Sequence, residues 1–338
     1  MPSNKATIRD IANILNIHHS TVSRALNNSS AISESTKKKV KEVAANLNYS
    51  PNHSARALKT RKSNIIGIIV PDIRTNFFGT VLSGAEDVLY DRGYILMAAQ
   101  SYESYEREAQ NVKAFSSHNI GGVMISISQK TTNSEHFKVL QQNNIPLVFF
   151  DRYRTDIPAD IVKIDDYEGA RIAVKHLLSK GRRKIAHLAG PKELIISQER
   201  LRGYKAALSE ANIEYIPDLV VHCGFYQKSG REGVKVLFER NQTPDAIFAV
   251  NDPVGVGACS ELKIKRIQIP DEIAVVGFGN TDPDSILYDP PLTTIDQHTY
   301  EMGRIAAHMM LNSIENLELK NTVTTEVIKP TLIPKGST

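Results

Sequence analysis

Residues 7–27 read TIRDIANILNIHHSTVSRALN, and the spacing of apolar residues in this stretch predicts the fold of the N-terminal end. Thr7 and Asp10 have the spacing of a capping box at the start of a helix, and Asn16 can adopt the left-handed conformation that a tight turn requires. A second helix is expected over about residues 19–27. The apolar faces that the two helices would bury consist of Ile8, Ile11, Ala12, Leu15, Val22, Ala25 and Leu26. The stretch therefore predicts a helix, a tight turn and a second helix.

The second helix presents a polar surface, because burying its apolar side forces His19, Ser20, Ser23, Arg24 and Asn27 toward solvent. Short side chains allow the backbone of such a helix to approach the major groove of DNA, and Arg24 can bind guanine O6 and N7 together. A third helix from about Ser33 would bury Val40, Val43, Ala44 and Leu47. The pattern is typical of a DNA-binding helix-turn-helix, and the alternative is an ordinary three-helix bundle with a polar surface.

The charge of the chain is distributed unevenly. Residues 1–62 hold eleven Lys or Arg and three Asp or Glu, whereas the remaining residues hold thirty and thirty-four. The N-terminal part thus carries a net charge of +8 and the rest a net charge of −4. A basic head on an acidic body indicates a polyanionic partner for the head alone, although a solvated basic face would give the same count.

From residue 64 onward, short apolar runs alternate with amphipathic stretches, which is the βα pattern of a parallel sheet. The predicted strands are residues 65–71, 94–99, 122–127, 147–150, 185–189, 219–222, 246–250 and 273–278. Eight such units could close one barrel or form two open sheets. An additional extended segment at residues 160–165 favours two lobes joined by crossing strands.

Several classes of protein are not supported by the sequence. The chain has no run of eighteen apolar residues, and Arg9, Asp10 and Arg24 interrupt the region where a signal peptide would lie, so we expect a cytoplasmic protein without a membrane partner. Cys223 and Cys259 lack the spacing of a zinc site. Nucleotide-binding, metalloprotease and serine-hydrolase motifs are absent, so we expect no catalytic residues, metal or cofactor.

Longer motifs identify a family resemblance. In the head these are TIRDIANIL (7–15), STVSRALN (20–27), NYSPN (48–52) and ARAL (55–58). In the body they are IGIIVPD (66–72), QERLRGY (198–204), PDAIFAVND (244–252), VGFGN (276–280) and PPLTT (290–294). Together they resemble the lac repressor family over essentially the whole chain. The resemblance implies an all-α helix-turn-helix head and an α/β body of two Rossmann-like lobes, similar to a periplasmic sugar-binding protein, with an effector between the lobes.

The resemblance also implies limits for the domains. The head would span residues 1–48, a hinge helix and linker residues 49–62, and the body residues 63–338. Within the body, we expect an N-lobe of about residues 63–161 and 293–322. The C-lobe would consist of about residues 162–292 and 323–338.

Carried onto the head, the family pattern assigns base reading to His19, Ser20 and Arg24, and phosphate contacts to Thr7, Ser23 and Asn27. His18 stands where the family usually has a small hydroxyl residue that caps the second helix and contacts a phosphate. The hinge would begin at Asn52 and pair with its dimer mate in the minor groove. Small Ala55 would allow that close approach, and Leu58 would be the wedge between base steps.

Ligands of open α/β sheets bind beyond the carboxyl ends of the strands, which nominates the residues after each apolar run. The candidates for effector binding are Asp72, Phe77, Phe78, Arg152, Asp165, Asp166, Arg200, Asn251, Asp252 and Gly279. The resemblance makes Arg200 the arginine that clamps the effector, and Phe77 and Phe78 a wall against it. Individually, the phenylalanines could also be core residues and the charged residues surface ion pairs.

Gly279 stands where the family often carries a carboxylate that binds effector hydroxyls. Because Arg200 and Arg152 remain, a cleft without that carboxylate would favour an anionic or bulkier ligand, such as a sugar acid, a sugar phosphate or an oligosaccharide. Alternatively, Asp72, Asp165 or Asp166 supplies the carboxylate and neutral sugars remain possible.

These observations predict a homodimeric transcription regulator, a repressor of carbohydrate uptake or catabolism genes, that binds palindromic operator DNA and a small sugar or sugar derivative. The chain carries no terminal leucine heptad, so we expect a dimer and not a tetramer. The alternatives are a solute-binding protein and a sugar-converting enzyme.

Overall fold

The computed structural model describes residues 6–26, 28–47, 49, 63–118, 120–279, 289–315 and 322–338. The chain divides into two compact units, Met1–Ser63 and Asn64–Thr338. Within the described residues, no helix is both long enough and apolar enough to cross a membrane.

The described residues of the first unit form three helices: α1 (Ile8–Leu15), α2 (His19–Leu26) and α3 (Glu34–Asn46). The predicted capping box is present, because the Thr7 hydroxyl accepts a hydrogen bond from the Asp10 amide and the Asp10 carboxylate accepts one from the Thr7 amide. Asn16 ends α1 in the left-handed conformation, with φ of 49°. The buried core consists of Ile11, Ala12, Val22, Ala25, Val40 and Ala44. The helix-turn-helix prediction is confirmed.

The second unit contains two parallel sheets, as the two-lobe alternative predicts. The N-lobe sheet is formed by β1 (Ile65–Val70), β2 (Ile95–Gln100), β3 (Gly122–Ile125), β4 (Leu147–Phe150), β5 (Asp160–Ile164) and β11 (Thr325–Ile328). Its strand order is β11-β5-β4-β3-β1-β2. The helices of this lobe are α4 (Asn76–Asp91), α5 (Tyr105–Ser117), α6 (Lys138–Gln142) and α11 (Thr299–Glu315). A short 3-10 helix, Glu135–Phe137, precedes α6.

The C-lobe sheet has the order β7-β6-β8-β9. Its strands are β6 (Ile185–Ala189), β7 (Val220–His222), β8 (Ala246–Ala249) and β9 (Ala274–Val276), and a 3-10 helix, Pro217–Leu219, precedes β7. The helices are α7 (Asp166–Ser179), α8 (Ile195–Glu210), α9 (Gln227–Glu239) and α10 (Asp252–Ile264). An antiparallel pair, β10 (Thr294–Asp296) and β12 (Thr331–Ile333), lies beside β9. The eight predicted strands are all present. The short strands β10, β11 and β12 were not predicted, because each mixes polar with apolar residues, as in TID, TEVI and TLI, and does not form an apolar run.

The chain crosses between the lobes three times, and each crossing lies a few residues beyond its predicted position. The crossings fall between β5 and α7, between β10 and α11, and between β11 and β12. The predicted lobe limits, given as about residues 161, 292 and 322, lie four to seven residues before these crossings, at about residues 165, 297 and 329. In each case a strand continues to the edge of its own sheet before the chain crosses.

Candidate functional site

Helix α2 carries four of the ten residues predicted to contact DNA. His19 and Arg24 are exposed, and Ser20 and Ser23 are half-buried. The Arg24 side chain has no hydrogen-bond or ion-pair partner among the described residues. Thr7 is exposed at the start of α1, where its hydroxyl donates to Asp10 over 2.7 Å. The guanidinium group of Arg24 is therefore available to bind a base edge or a phosphate.

His18 takes over the capping role that a small hydroxyl residue would have. Its Nδ1 accepts a hydrogen bond from the Ser20 backbone amide at 3.3 Å and lies 2.8 Å from the Ser20 hydroxyl. The His18 ring also packs on the ring of His19, with 4.1 Å between centroids. One of the free amides at the start of α2 is thus satisfied despite the departure from the family pattern. The predicted contacts Asn27, Asn52, Ala55 and Leu58 lie outside the described residues.

A cavity of about 330 Å³ lies in the second unit, where the carboxyl ends of strands from both lobes meet. Its lining includes eight predicted residues: Asp72, Phe77, Phe78, Arg152, Arg200, Asn251, Asp252 and Gly279. The sequence analysis did not identify Glu103, Asp151, Phe225, Tyr226 and Gln297, which also line it. Asp151 directly follows β4 and could have been found by the strand-end rule. Gln297 follows β10, a strand that was not predicted.

Aromatic side chains give the cavity apolar surfaces. Phe77 and Phe78 lie at the start of α4, edge to face with ring centroids 4.9 Å apart. Phe225 and Tyr226 follow β7 and line the cavity from the C-lobe. Such faces pack against the C–H surface of a ring-shaped ligand, while polar groups at the rim bind its hydroxyls.

Arg200 on α8 is almost completely buried, and its guanidinium group forms an ion pair within the protein. Its guanidinium lies 2.7 Å from the carboxylate of Asp166 and donates to the Val250 carbonyl and to Gln297. The group also stacks on the Phe278 ring at 3.7 Å. Burial raises the pKa of Asp166 to about 6, against the opposing effect of the Arg200 charge. Arg200 lines the cavity, whereas its partner Asp166 does not.

The second predicted acid at this point, Asp165, has a different position. Its carboxylate caps α7 by accepting a hydrogen bond from the Glu168 amide at 2.9 Å. It is also absent from the cavity lining. Asp165 thus stabilises the helix that presents Asp166 to Arg200.

The raised pKa of Asp166 gives a testable pH dependence. Because the pKa of this acid is higher in the fold than the ordinary 3.8, the folded protein holds the proton more tightly, and its contribution to stability falls as pH rises from about 4 to about 6. We expect the free energy of unfolding of wild type to fall relative to that of Asp166→Asn as pH rises over this interval, and the difference between them to level off above it. Urea unfolding at half-unit pH steps measures this, and a pH-independent difference would contradict it.

Arg152 follows β4 and is buried between two carboxylates of the N-lobe. Its guanidinium donates to both carboxylate oxygens of Glu103 at 2.9 and 3.0 Å, and lies 3.8 Å from Asp151. Its planar group lies over the Phe225 ring at 4.6 Å. Burial raises the pKa of the Asp151 carboxyl, and the Arg152 charge opposes that shift. Arg152 therefore lines the cavity as part of an ion pair with Glu103.

The two remaining acids of the lining are also held in place. Asp72 accepts two hydrogen bonds from the exposed Arg74 side chain, at 2.9 and 2.7 Å, which lower its pKa. Asp252 accepts a hydrogen bond from the Thr294 hydroxyl at 2.5 Å. A Cβ atom at Gly279 would lie only 3.0 Å from the Asp252 carboxylate. The glycine therefore leaves room for that carboxylate beside it.

Comparison with known proteins agrees with this geometry. Residues 7–52 match the family model described as bacterial regulatory proteins, lacI family, and residues 174–338 match a periplasmic binding protein-like domain. The chain is 32% identical to a ribose operon repressor of Halalkalibacterium halodurans, over 93% of this chain and 92% of that protein.

Two solved structures show the same fold. A complex of the transcriptional regulator CelR with cellobiose is 26% identical, covers 98% of this chain and 100% of its own, and has a TM-score of 0.75. A LacI family regulator from Enterococcus faecium with bound ribose is 25% identical, covers 81% of this chain and 98% of its own, and has a TM-score of 0.71. These proteins are regulators, so neither the enzyme nor the solute-binding alternative is favoured. On the identity and coverage of its relatives, the chain belongs to the lacI family of bacterial regulatory proteins and is a DNA-binding transcription regulator.

Proposed function

We propose that this chain is a cytoplasmic, homodimeric repressor of genes for carbohydrate uptake or breakdown, and that a neutral sugar in the cavity controls its binding to a palindromic operator. The observation that carries the proposal is the pairing of both buried arginines of the cavity with carboxylates, next to aromatic walls. Cleft residues of this kind suit a ligand that has many hydroxyl groups and no net charge.

The charge count supports a neutral ligand over an anionic one. The lining contains three guanidinium groups and four carboxylates, which gives a net formal charge of −1. Asp166 adds a further acid directly behind Arg200. An anion would have to compete with Glu103 and Asp166 for the arginines, whereas a hydroxyl group can accept from a guanidinium and donate to a carboxylate at once. The expectation of a sugar acid or sugar phosphate assumed that the two arginines are unpaired. Because both are paired, that expectation is not supported.

The relatives point in the same direction. The relative from Halalkalibacterium halodurans is named a ribose operon repressor, and the two solved structures hold ribose and cellobiose. Both sugars are neutral and differ in size. A cavity of about 330 Å³ is at the lower end of the range usual for small-molecule sites, which favours a small sugar.

The proposal is tested by calorimetry of the full chain against matched neutral and charged sugars. The panel consists of ribose, cellobiose, ribose 5-phosphate and ribonate. We expect a neutral sugar to bind at least about tenfold more tightly than either anion, because tenfold is about 1.4 kcal/mol and one repelled charge costs at least that in a buried site. Tighter binding of an anion would overturn the neutral-effector proposal.

The dimer is proposed to form through the edge strand β2. Ile95 and Met97 on this strand are 57% and 43% exposed, and within the part of the chain that the structure describes β2 pairs with β1 alone. An exposed apolar edge strand pairs readily with another chain, and a palindromic operator needs two heads. A second copy of this chain is therefore its expected partner.

Light scattering tests this interface. We expect wild type to be a dimer at micromolar concentration and the Ile95→Lys/Met97→Lys variant to be a monomer, because two buried charges would oppose association. Val327→Lys is a matched control, since Val327 is 49% exposed on β11, the opposite edge of the same sheet. A tetrameric wild type, or an unaltered dimer in the double variant, would contradict the proposal.

A further inference from the structure

Glu108 on α5 is a completely buried acid that lies outside the cavity lining. Its carboxylate accepts hydrogen bonds from the Ser128 amide at 2.6 Å and from the Thr131 hydroxyl at 2.7 Å, and lies 2.8 Å from Nε2 of His136. These three partners belong to residues 126–136, here called the wall loop, which follows β3. A single side chain thus fixes the wall loop along most of its length.

The wall loop in turn contacts every charged N-lobe residue that follows β2 or β4 in the cavity. The Ser126 hydroxyl donates to Asp151 at 3.1 Å, and the Gln129 amide donates to Glu103 at 2.8 Å. The backbone carbonyl of Arg152 accepts a hydrogen bond from the Ile127 amide. The Arg152 guanidinium in turn lies 3.5 Å from the Ile127 carbonyl. The loop is therefore the structural link between Glu108 and the cavity.

The backbone of the two acids shows why they need such support. Glu103 and Asp151 both have left-handed conformations, with φ of 57° and 60°. Non-glycine residues adopt this conformation at a cost in free energy, and it persists where surrounding contacts hold it. For Glu103 and Asp151, those contacts include the hydrogen bonds from Gln129 and Ser126.

We propose that Glu108 is a positioning residue for effector recognition. It holds the wall loop, and the wall loop holds Glu103, Asp151 and Arg152 in the arrangement that meets the effector. A buried carboxylate is costly unless hydrogen-bonded, and here the three partners of Glu108 offset that cost only when the loop is in place. The proposal rests on the proposed function for its effect on sugar binding, but its effect on the loop is independent of that function.

Two variants of Glu108 separate a positioning role from a merely structural one. Glu108→Ala leaves the Ser128 amide and the Thr131 hydroxyl without an acceptor. Glu108→Gln keeps an oxygen for the Ser128 amide, and its amide group can donate to the Thr131 hydroxyl or to a neutral His136. We therefore expect alanine to release the loop and glutamine to restore it.

The first measurement is amide hydrogen exchange of the full chain without ligand. In Glu108→Ala we expect exchange to be faster by at least about tenfold at residues 126–136 and also at residues 98–104, which include Glu103, with β4 unchanged. Glu108→Gln should exchange within about threefold of wild type. Faster exchange at residues 126–136 alone would overturn the proposal, because Glu103 would then be held without the loop.

The second measurement is calorimetry with ribose and cellobiose. We expect Glu108→Ala to bind at least about tenfold more weakly than wild type and Glu108→Gln to recover that loss. Ser313→Ala is the control, since it removes a buried hydrogen bond to Asp160 in the same lobe without touching the wall loop. Unchanged affinity in Glu108→Ala would overturn the positioning role. If wild type binds neither sugar, the choice of effector is wrong, and the exchange measurement still decides the role of Glu108.

Circular dichroism shows whether Glu108→Ala folds. If it does not, Thr131→Val gives the same comparison at lower amplitude, because it removes one of the three partners and leaves the others in place. We expect that variant to exchange faster at residues 98–104 as well, and no change there would overturn the proposal.

Discussion

We expect replacement of Arg200 by alanine to abolish sugar binding and to lower the stability of the body by about 3–5 kcal/mol. The substitution removes a guanidinium that bridges Asp166, the Val250 carbonyl and Gln297, and it leaves the buried Asp166 without a cation. Breaking a buried pair by removing one partner costs this much because the remaining charge stays desolvated.

The pH dependence of that loss distinguishes its cause. In wild type, the charge and hydrogen bond of Arg200 oppose the effect of burial and hold the pKa of Asp166 at about 6, so removing Arg200 raises that pKa further. We therefore expect the difference in unfolding free energy between wild type and Arg200→Ala to shrink as pH falls toward about 6, because Asp166 of the variant takes up a proton there, and to level off below about pH 6. Arg202→Ala is the control, because Arg202 lies on the same helix but is 60% exposed, pairs with Glu199 and lies over the Tyr167 ring. An Arg200→Ala variant as stable as wild type at pH 7 would contradict the account.

Replacing Arg24 by alanine is expected to cost about 1–3 kcal/mol of operator affinity per half-site and to relax the preference at one base pair. Arg24 is exposed on α2 and has no partner among the described residues, so no contact within the protein offsets its binding to guanine. The loss should therefore depend on sequence.

Fluorescence anisotropy with an operator and with single-base variants measures this preference. Lys38→Ala removes an exposed cation of the same unit from α3 and is the control for loss of charge. Loss of a purely electrostatic contribution weakens binding to all sequences alike and reduces the salt dependence. If Arg24→Ala weakens binding to every sequence equally, Arg24 contacts only a phosphate.

Local signals in the sequence were sufficient for the fold of the head. Thr7 with Asp10, and Asn16 after them, predict the limits of α1 because a capping box and a left-handed turn depend on neighbouring residues only. Eight of the parallel strands were predicted for a similar reason, since each contains a short apolar run, whereas the parallel strand β11 (TEVI) does not and was not predicted. His18 could not be assigned, because its cap depends on the orientation of a ring that the sequence does not specify.

The residues of the cavity were predicted in part, and its electrostatic character was not. Strand ends identify positions such as Asp72 and Arg152 without reference to distant residues. The partners of the arginines are distant in sequence: Asp166 lies 34 residues from Arg200, and Glu103 lies 49 residues from Arg152. Sequence reasoning therefore counted the arginines as available charges, whereas packing pairs both of them.

The most direct test of the account is the operator affinity of the full chain with and without saturating sugar. Fluorescence anisotropy would be measured on a palindromic fragment selected from genomic DNA, with ribose, cellobiose, ribose 5-phosphate or no addition. We expect one of the neutral sugars to change the operator affinity by about 5- to 150-fold, the usual range of coupling between two sites, and ribose 5-phosphate to leave it unchanged. Equal operator affinity in all four conditions, or a change with the phosphate alone, would contradict it.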